Sequence, residues 1–262
     1  MTRTMTTGFP TTAQPATFVS AGSSACRYTE KANPRNSNLQ LLTYGVHELS
    51  GQTASGALAH PGEETLLFCW RGELDVRMNH AVYTLKHYDV LYVPLSATYH
   101  LEQKSGQSKL VVCRATAENA HPVFHAKWSA FSRDEGRIRH LKGKDVFLMF
   151  DVSESADKLM AGYTIFEPHQ RSYPPHNHTD QEEVYIFTQG QGSMEVYADE
   201  ETKSFVRSVD EGDAVTIPVL NYHPVFSQEE ELHFIWCIAG NRYWVGDKHK
   251  DFMTGKADKL TT

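Results

Sequence analysis

Pro174-Pro-His-Asn-His-Thr-Asp-Gln-Glu-Glu-Val-Tyr185 is the stretch that decides how the rest of the chain is read. His176 and His178 stand two residues apart, a spacing that sends both side chains to one face of an extended strand. Glu183 follows five residues after His178, beyond a turn-like Thr-Asp-Gln, and opens the apolar run Val184-Tyr-Ile-Phe187. An acid at the mouth of such a strand can return to the ion gripped by the histidine pair. Later, Gly212-Asp-Ala-Val-Thr-Ile-Pro218 leads to His223, which would close the site from across a barrel. Three imidazoles and one carboxylate suit Zn, Mn, Fe, Co or Ni and are unusual for Ca or Mg. The spacing therefore predicts one divalent metal ion on His176, His178, Glu183 and His223, with zinc ranked first and manganese or iron next.

Working outward, short β-rich runs recur along the chain, divided by Gly, Pro, Asp and Asn. Thr65-Leu-Leu-Phe-Cys-Trp70, Val90-Leu-Tyr-Val93, Lys109-Leu-Val-Val-Cys113 and His233-Phe-Ile-Trp-Cys-Ile238 are examples. This pattern predicts an all-β sandwich or barrel. The two halves also repeat each other. Glu64, Gly72, Tyr88-Asp-Val-Leu-Tyr-Val-Pro94 and Tyr99-His100 come in the same order as Glu183, Gly192, Gly212-Asp-Ala-Val-Thr-Ile-Pro218 and Tyr222-His223. Two tandem barrels are expected, the first over 26–135 and the second over 136–262, after a disordered tail over 1–25. Aligning Glu64 with Glu183 puts Ala57 and Ala59 where the first barrel would need its histidines. With His60 and His100 nearby, that barrel is expected to be structural, its metal site degenerate.

Composition narrows the partners. The chain has 262 residues and a formal net charge of −7 without basic runs, which argues against nucleic acid. No apolar run approaches the roughly 20 residues needed to span a bilayer. The Thr- and Ser-rich N-terminus lacks the apolar core of a secretory signal. Four cysteines in no zinc-ribbon spacing read as reduced thiols of a cytoplasmic protein.

Two patterns, His-x-His-x4-Glu-x6-Gly from His176 to Gly190 and Gly-x5-Pro-x4-His from Gly212 to His223, resemble the two cupin motifs. The glycine expected between Pro218 and His223 is absent; Leu220 or Asn221 stands there. Tyr173-Pro-Pro-His-Asn-His178, Glu183-Val-Tyr185, Tyr222-His-Pro-Val225 and Phe234-Ile-Trp-Cys-Ile-Ala-Gly-Asn241 further resemble the family that joins 5-deoxyglucuronate isomerase with 5-keto-4-deoxyuronate isomerase. The resemblance implies two tandem double-stranded β-helix (jelly-roll) barrels and a metal-dependent aldose–ketose isomerase acting on a deoxy-uronate. It ranks 5-deoxyglucuronate of inositol breakdown first and 5-keto-4-deoxyuronate of polyuronate breakdown second. It also implies a small anionic sugar as partner, and a homo-oligomer is expected.

Beside the metal ligands, Tyr185 should share the barrel interior with Glu183 by strand parity. Tyr185 and His233 are the candidate proton-transfer residues, with a metal-bound hydroxide as a third. Arg171 and Tyr173 are candidates to hold the substrate, Arg171 by a two-pronged bond to its carboxylate. Glu182 should point away from the metal. An iron-dependent oxygenase and a sugar-binding cupin without turnover stand as rival readings.

Overall fold

The computed structural model describes residues 3–6, 25–172, 175–199 and 201–243. Four β-sheets account for almost all of its regular structure. In the first half, a six-stranded sheet runs in the order Phe124–Ala126, Val90–Val93, Glu63–Arg71, Gln107–Thr116, Leu42–Ser50, Cys26–Ala32. It is backed by a four-stranded sheet, Thr53–Ala54, Tyr99–Gln103, Glu73–Met78, Ala81–Lys86. In the second half, a seven-stranded sheet holds Thr4–Thr6, Ala214–Ile217, Gln181–Gln189, Leu232–Gly240, Leu159–Phe166, Lys144–Phe150 and Ile138–Leu141. A three-stranded sheet, Lys203–Asp210, Gln191–Tyr197, Val225–Ser227, covers its inner face. These are the two tandem cupin barrels that the repeat predicts.

Side-chain alternation sorts the apolar residues into three cores. Leu67, Cys69, Val76, Leu101 and Leu110 fill the first barrel. Tyr185, Phe187, Met194, Val225 and Phe234 fill the second. The opposite faces of the same strands, Leu66, Phe68 and Trp70 against Val184, Ile186, Ile235 and Cys237, form a third core where the two large sheets meet. Strands buried on both faces read as unbroken hydrophobic runs rather than as alternation, which is why Leu66 to Trp70 and Phe234 to Ile238 looked apolar throughout. All four cysteines are buried free thiols.

Two carboxylates tie the barrels together. Glu182 reaches across to the first barrel and accepts the backbone N–H groups of Gln40 and Leu41, each at 2.6 Å, and of Leu42. Glu64 does the reverse, accepting from Asp157 at 3.0 Å, Lys158 at 2.7 Å and Leu159 at 2.9 Å, and from the Tyr92 hydroxyl at 2.8 Å. Both carboxylates are buried. The parity argument for Glu182 is thus right in direction: the side chain points away from Glu183 and ends in the other barrel.

This pairing corrects the alignment of the halves. Glu64 is the counterpart of Glu182, not of Glu183. The ladders agree: Thr65 pairs with Val93, just before Pro94, as Glu183 pairs with Ile217, just before Pro218. A slip of one residue in a strand exchanges its two faces. With Thr65 opposite Glu183, the histidine positions of the first barrel become Leu58 and His60 instead of Ala57 and Ala59. The five-residue step from Pro218 to His223 then lands on Tyr99, which is buried, and not on the exposed His100.

Thr4–Thr6 correct the expectation of a loose tail over 1–25: they pair in parallel with Ala214–Thr216, and Asp213 accepts bonds from the Arg3 backbone and guanidinium. Residues 7–24 lie outside the described residues, as does the charged stretch that begins at Gly246. The segment between the barrels contains a one-turn helix, Trp128–Phe131, and a 3-10 turn, Glu135–Arg137. Among the described residues no helix is long and apolar enough to cross a membrane.

Removing either clamp leaves one buried and two part-buried N–H donors without that partner, at about 1–3 kcal/mol for the buried one and less for the others. Glu182→Ala and Glu64→Ala should therefore each lower the unfolding free energy by about 2 kcal/mol or more, read from the urea midpoint. An unchanged midpoint in both would contradict the clamp.

Candidate metal centre

Glu183 enters the second barrel from the first turn of the strand Gln181–Gln189, between Ile217 and Ile238 on the neighbouring strands. His176 and His178 do not lie on a strand, as their spacing had suggested; they occupy the irregular segment that precedes it. That segment is held by the Pro218–His223 turn, where Leu220 N donates to the His178 carbonyl at 2.6 Å. Leu220 adopts φ +66°. It thus takes the left-handed conformation that the missing glycine would supply, at a strain of about 1–2 kcal/mol. The turn that links the two motifs survives the substitution because the backbone bond across it is kept.

The four side chains converge. Their ligating atoms all lie within 4.8 Å of one another, His176 half-buried and the other three buried. The ring centroids of His223 lie 4.4 Å from His176 and 5.4 Å from His178. The His178 and His223 Nε2 atoms stand 3.2 and 3.1 Å from one carboxylate oxygen of Glu183. Such a span is close to that across a single ion with bonds of about 2.0–2.2 Å.

The outer partners of the two imidazoles decide what those nitrogens carry. Gln181 donates its amide hydrogens to the carbonyls of Asn241 and Tyr243, so its oxygen faces His178 Nδ1 at 2.9 Å. His223 Nδ1 lies 2.8 Å from the Asn221 carbonyl, which can only accept. Both Nδ1 atoms therefore carry a proton, and in the neutral rings both Nε2 atoms turn a lone pair toward the carboxylate oxygen. Acceptors then meet acceptors, an arrangement that a shared positive charge resolves. His-carbonyl and His-amide contacts of this kind are what fixes a metal-binding tautomer. The donor set fits a divalent ion. Burial lowers the pKa of His176 well below the usual histidine range, and the neighbouring His223, His178 and Lys144 press it the same way. Burial alone would raise the Glu183 carboxyl; the neighbouring His178 and His223 outweigh it and leave the pKa lowered.

The first barrel answers the same question differently. Arg114, on the strand beside Thr65, extends its guanidinium into the equivalent place. It lies 2.8 Å from His60 Nδ1 and donates to Glu63 and Glu30, each at 2.7 Å, while His60 Nε2 lies 3.2 Å from the Tyr99 hydroxyl. His60 and Tyr99 are the counterparts of His178 and His223. A fixed organic cation joins there the side chains that an ion would join in the second barrel.

The other expected site residues are divided. Tyr185 faces the interior, its ring 5.5 Å from His223 and 4.4 Å from Phe234. His233 is a correction. It shares the face of Ile235 and Cys237, between the barrels, where Nδ1 lies 3.1 Å from the Tyr88 hydroxyl. It pairs with Gln189, six residues along the strand from Glu183 and so roughly 20 Å away. Arg171 is a second correction: its guanidinium is exposed and lies over the Phe226 ring at 5.2 Å, on the outer surface of the small sheet. The next residue, Ser172, is the one that turns inward. Tyr173 lies outside the described residues.

Ser172 leads to a group that the sequence reading passed over. Lys144 Nζ donates to Ser172 Oγ at 3.0 Å and lies 5.1 Å from the centroid of Phe166. Burial lowers its pKa to about 8, against the pull of the Glu183 charge. Lys144 sits in a polar stretch, Lys142-Gly-Lys-Asp145, and only its parity with Val146 and Leu148 marks it as inward-facing.

Comparison with known proteins places this arrangement in a class and then in a family. The crystal structure of an IolB-like protein from Salmonella typhimurium superposes with a TM-score of 0.71 at 19% identity, covering 87% of this chain and 95% of that one. The Lactobacillus farciminis oxalate decarboxylase, in a formate complex, gives 0.70 at 12% identity, over 94% and 91%. Hazelnut vicilin gives 0.68 at 10%, over 91% and 92%. So varied a set shows the cupin fold and selects no reaction. No curated protein matches the sequence. The KduI/IolB family model, however, matches residues 18–254. The chain belongs to the KduI/IolB family, a family of isomerases.

Gln181→Leu tests the centre without touching a ligand. Losing the partner that holds the His178 tautomer should weaken zinc binding about 10–100-fold, measured by competition with a chromogenic chelator. Unaltered affinity would show that Gln181 does not set the ligand.

Proposed function

We propose that the protein is a metal-dependent aldose–ketose isomerase acting on a deoxy-uronate, with 5-deoxyglucuronate of inositol breakdown as the first substrate and zinc as the first metal. The observation that carries the reading is the His176–His178–Glu183–His223 cluster, three of its members buried, with two Nε2 atoms 3.2 and 3.1 Å from one carboxylate oxygen. Membership of an isomerase family gives that cluster its reaction class.

Isomerisation moves a hydrogen between adjacent carbons and builds negative charge on their two oxygens. A divalent ion held by the four ligands supplies Lewis-acid stabilisation of that charge. The protein's own groups do the rest. Tyr185 projects from the same strand face as Glu183 and packs on His223, so its hydroxyl belongs to the chamber in which a bound sugar would lie. It can donate to a sugar oxygen and orient the reacting carbons. Phe166, Phe187 and Phe234 belong to the apolar core beside the cluster, a setting that strengthens polar contacts within it. His233, on the other face of its strand, has no part in this chemistry.

The short spacing from His178 to Glu183 and the Glu183-Val-Tyr185 sequence resemble the 5-keto-4-deoxyuronate branch, which makes that compound the second substrate to assay. Zinc- or manganese-loaded protein should convert one of the two without a redox cofactor and equally under nitrogen, followed by NMR of the sugar. Turnover of neither would sink the substrate assignment, and loss of turnover without air would point to an oxygenase.

A further inference from the structure

Lys144 is a half-buried cation of the second barrel that the candidate metal site leaves unused. It begins the strand Lys144–Phe150, on which Val146 and Leu148 pack into the barrel interior while Phe147 and Met149 face the other barrel. Lys144 therefore shares the interior face. Its ammonium lies over Phe166, a residue of that barrel's interior core, and its charge and those of His176 and Glu183 act on one another.

The ammonium has three donors. One goes to the Ser172 hydroxyl, and the Phe166 ring lies beside it. No carboxylate among the described residues forms an ion pair with it. A cation withdrawn from water without an anionic partner is costly, and a neutral hydroxyl offsets little of that cost. Two exposed lysines, by contrast, each have a carboxylate partner: Lys104 with Asp75 at 2.9 Å and Lys203 with Glu195 at 2.8 Å. The unpaired charge inside the barrel is the complement of an anion that arrives from outside.

We propose that Lys144, steadied by Ser172, is the group that takes the carboxylate of the sugar acid and so fixes which end of the substrate faces the metal. The assignment rests on the sugar-acid reading given above and replaces Arg171, whose guanidinium lies outside the barrel, in the role of carboxylate anchor. A lysine supplies a point charge rather than a two-pronged fork, so orientation about the carboxylate is left to the metal ligands and Tyr185.

The test needs binding and no turnover. Zinc-loaded protein is titrated by calorimetry with D-glucuronate and with D-glucuronamide, in which an uncharged amide replaces the carboxylate. The wild type should prefer glucuronate. Lys144→Met should lose about 10–100-fold in glucuronate affinity, the worth of one charge-assisted bond, while glucuronamide binding and zinc content stay the same. Lys144→Arg should keep part of the preference. Thermal melting of each variant confirms that it is folded, and Ser172→Ala, which retains the charge, offers a milder loss of the same preference. Equal binding of the two ligands by the wild type, no glucuronate binding at all, or a preference that survives Lys144→Met would overturn the proposal. A merely structural lysine would alter melting or zinc content and leave the preference unchanged. A protein that binds glucuronate through Lys144 yet isomerises neither deoxy-uronate would uphold this assignment and sink the isomerase reading.

Discussion

Neighbouring side chains of a β-strand point to opposite faces, and at Glu182 and Glu183 that rule sets the fastening of the two barrels back to back with the candidate metal centre. Glu182 leaves the strand Gln181–Gln189 on one side and takes three N–H groups of the first barrel. Glu183 leaves on the other and meets His178 and His223. Gln181, two residues before Glu183, shares its face and steadies His178. Three consecutive residues thus settle the interface, the ligand and the ligand's protonation. Little freedom remains for the Glu183 carboxylate to drift, because the side chain of the neighbouring Glu182 is held from behind by three backbone N–H groups.

The pseudo-symmetry of the molecule makes the contrast between the barrels informative. Glu64 repeats the part of Glu182, so the fastening is reciprocal. The site is not repeated. His60 survives as the counterpart of His178, but Leu58, Thr65 and Tyr99 replace the other ligands, and Arg114 brings its own positive charge to the same place. A barrel mouth of this kind gathers polar side chains around a cation in either case. In the first barrel the cation is part of the chain and its carboxylates, Glu30 and Glu63, are fully engaged. In the second the acceptors are left facing one another.

Much of this was legible in the sequence. The order of motifs from His176 to His223 gave the ligand cluster, and the internal repeat gave two barrels. What failed did so for physical reasons. Matching Glu64 to Glu183 by letter missed the register by one residue, and one residue in a strand is the difference between two faces. The general conclusion, a first barrel without the ligand set, holds on other residues than Ala57 and Ala59. His233 and Arg171 were chosen for their chemistry and their nearness to motifs along the chain, but parity sends them to the interbarrel core and to the outer surface. Lys144 was missed because a lysine between glycine and aspartate looks like a solvated turn, and only the partners of Val146 and Leu148 reveal which way it faces.

The central claim is that one ion is held by three imidazoles and one carboxylate in the second barrel alone. X-ray absorption at the metal edge, on protein loaded with zinc to saturation and dialysed, tests it most directly. The account predicts about one zinc per chain, nitrogen and oxygen neighbours only at about 2.0–2.2 Å, and imidazole scattering that falls when His223 is replaced by alanine and is untouched by His60→Ala. Sulfur in the zinc shell, a second equivalent of tightly bound zinc, or a spectrum that depends on His60 would contradict it.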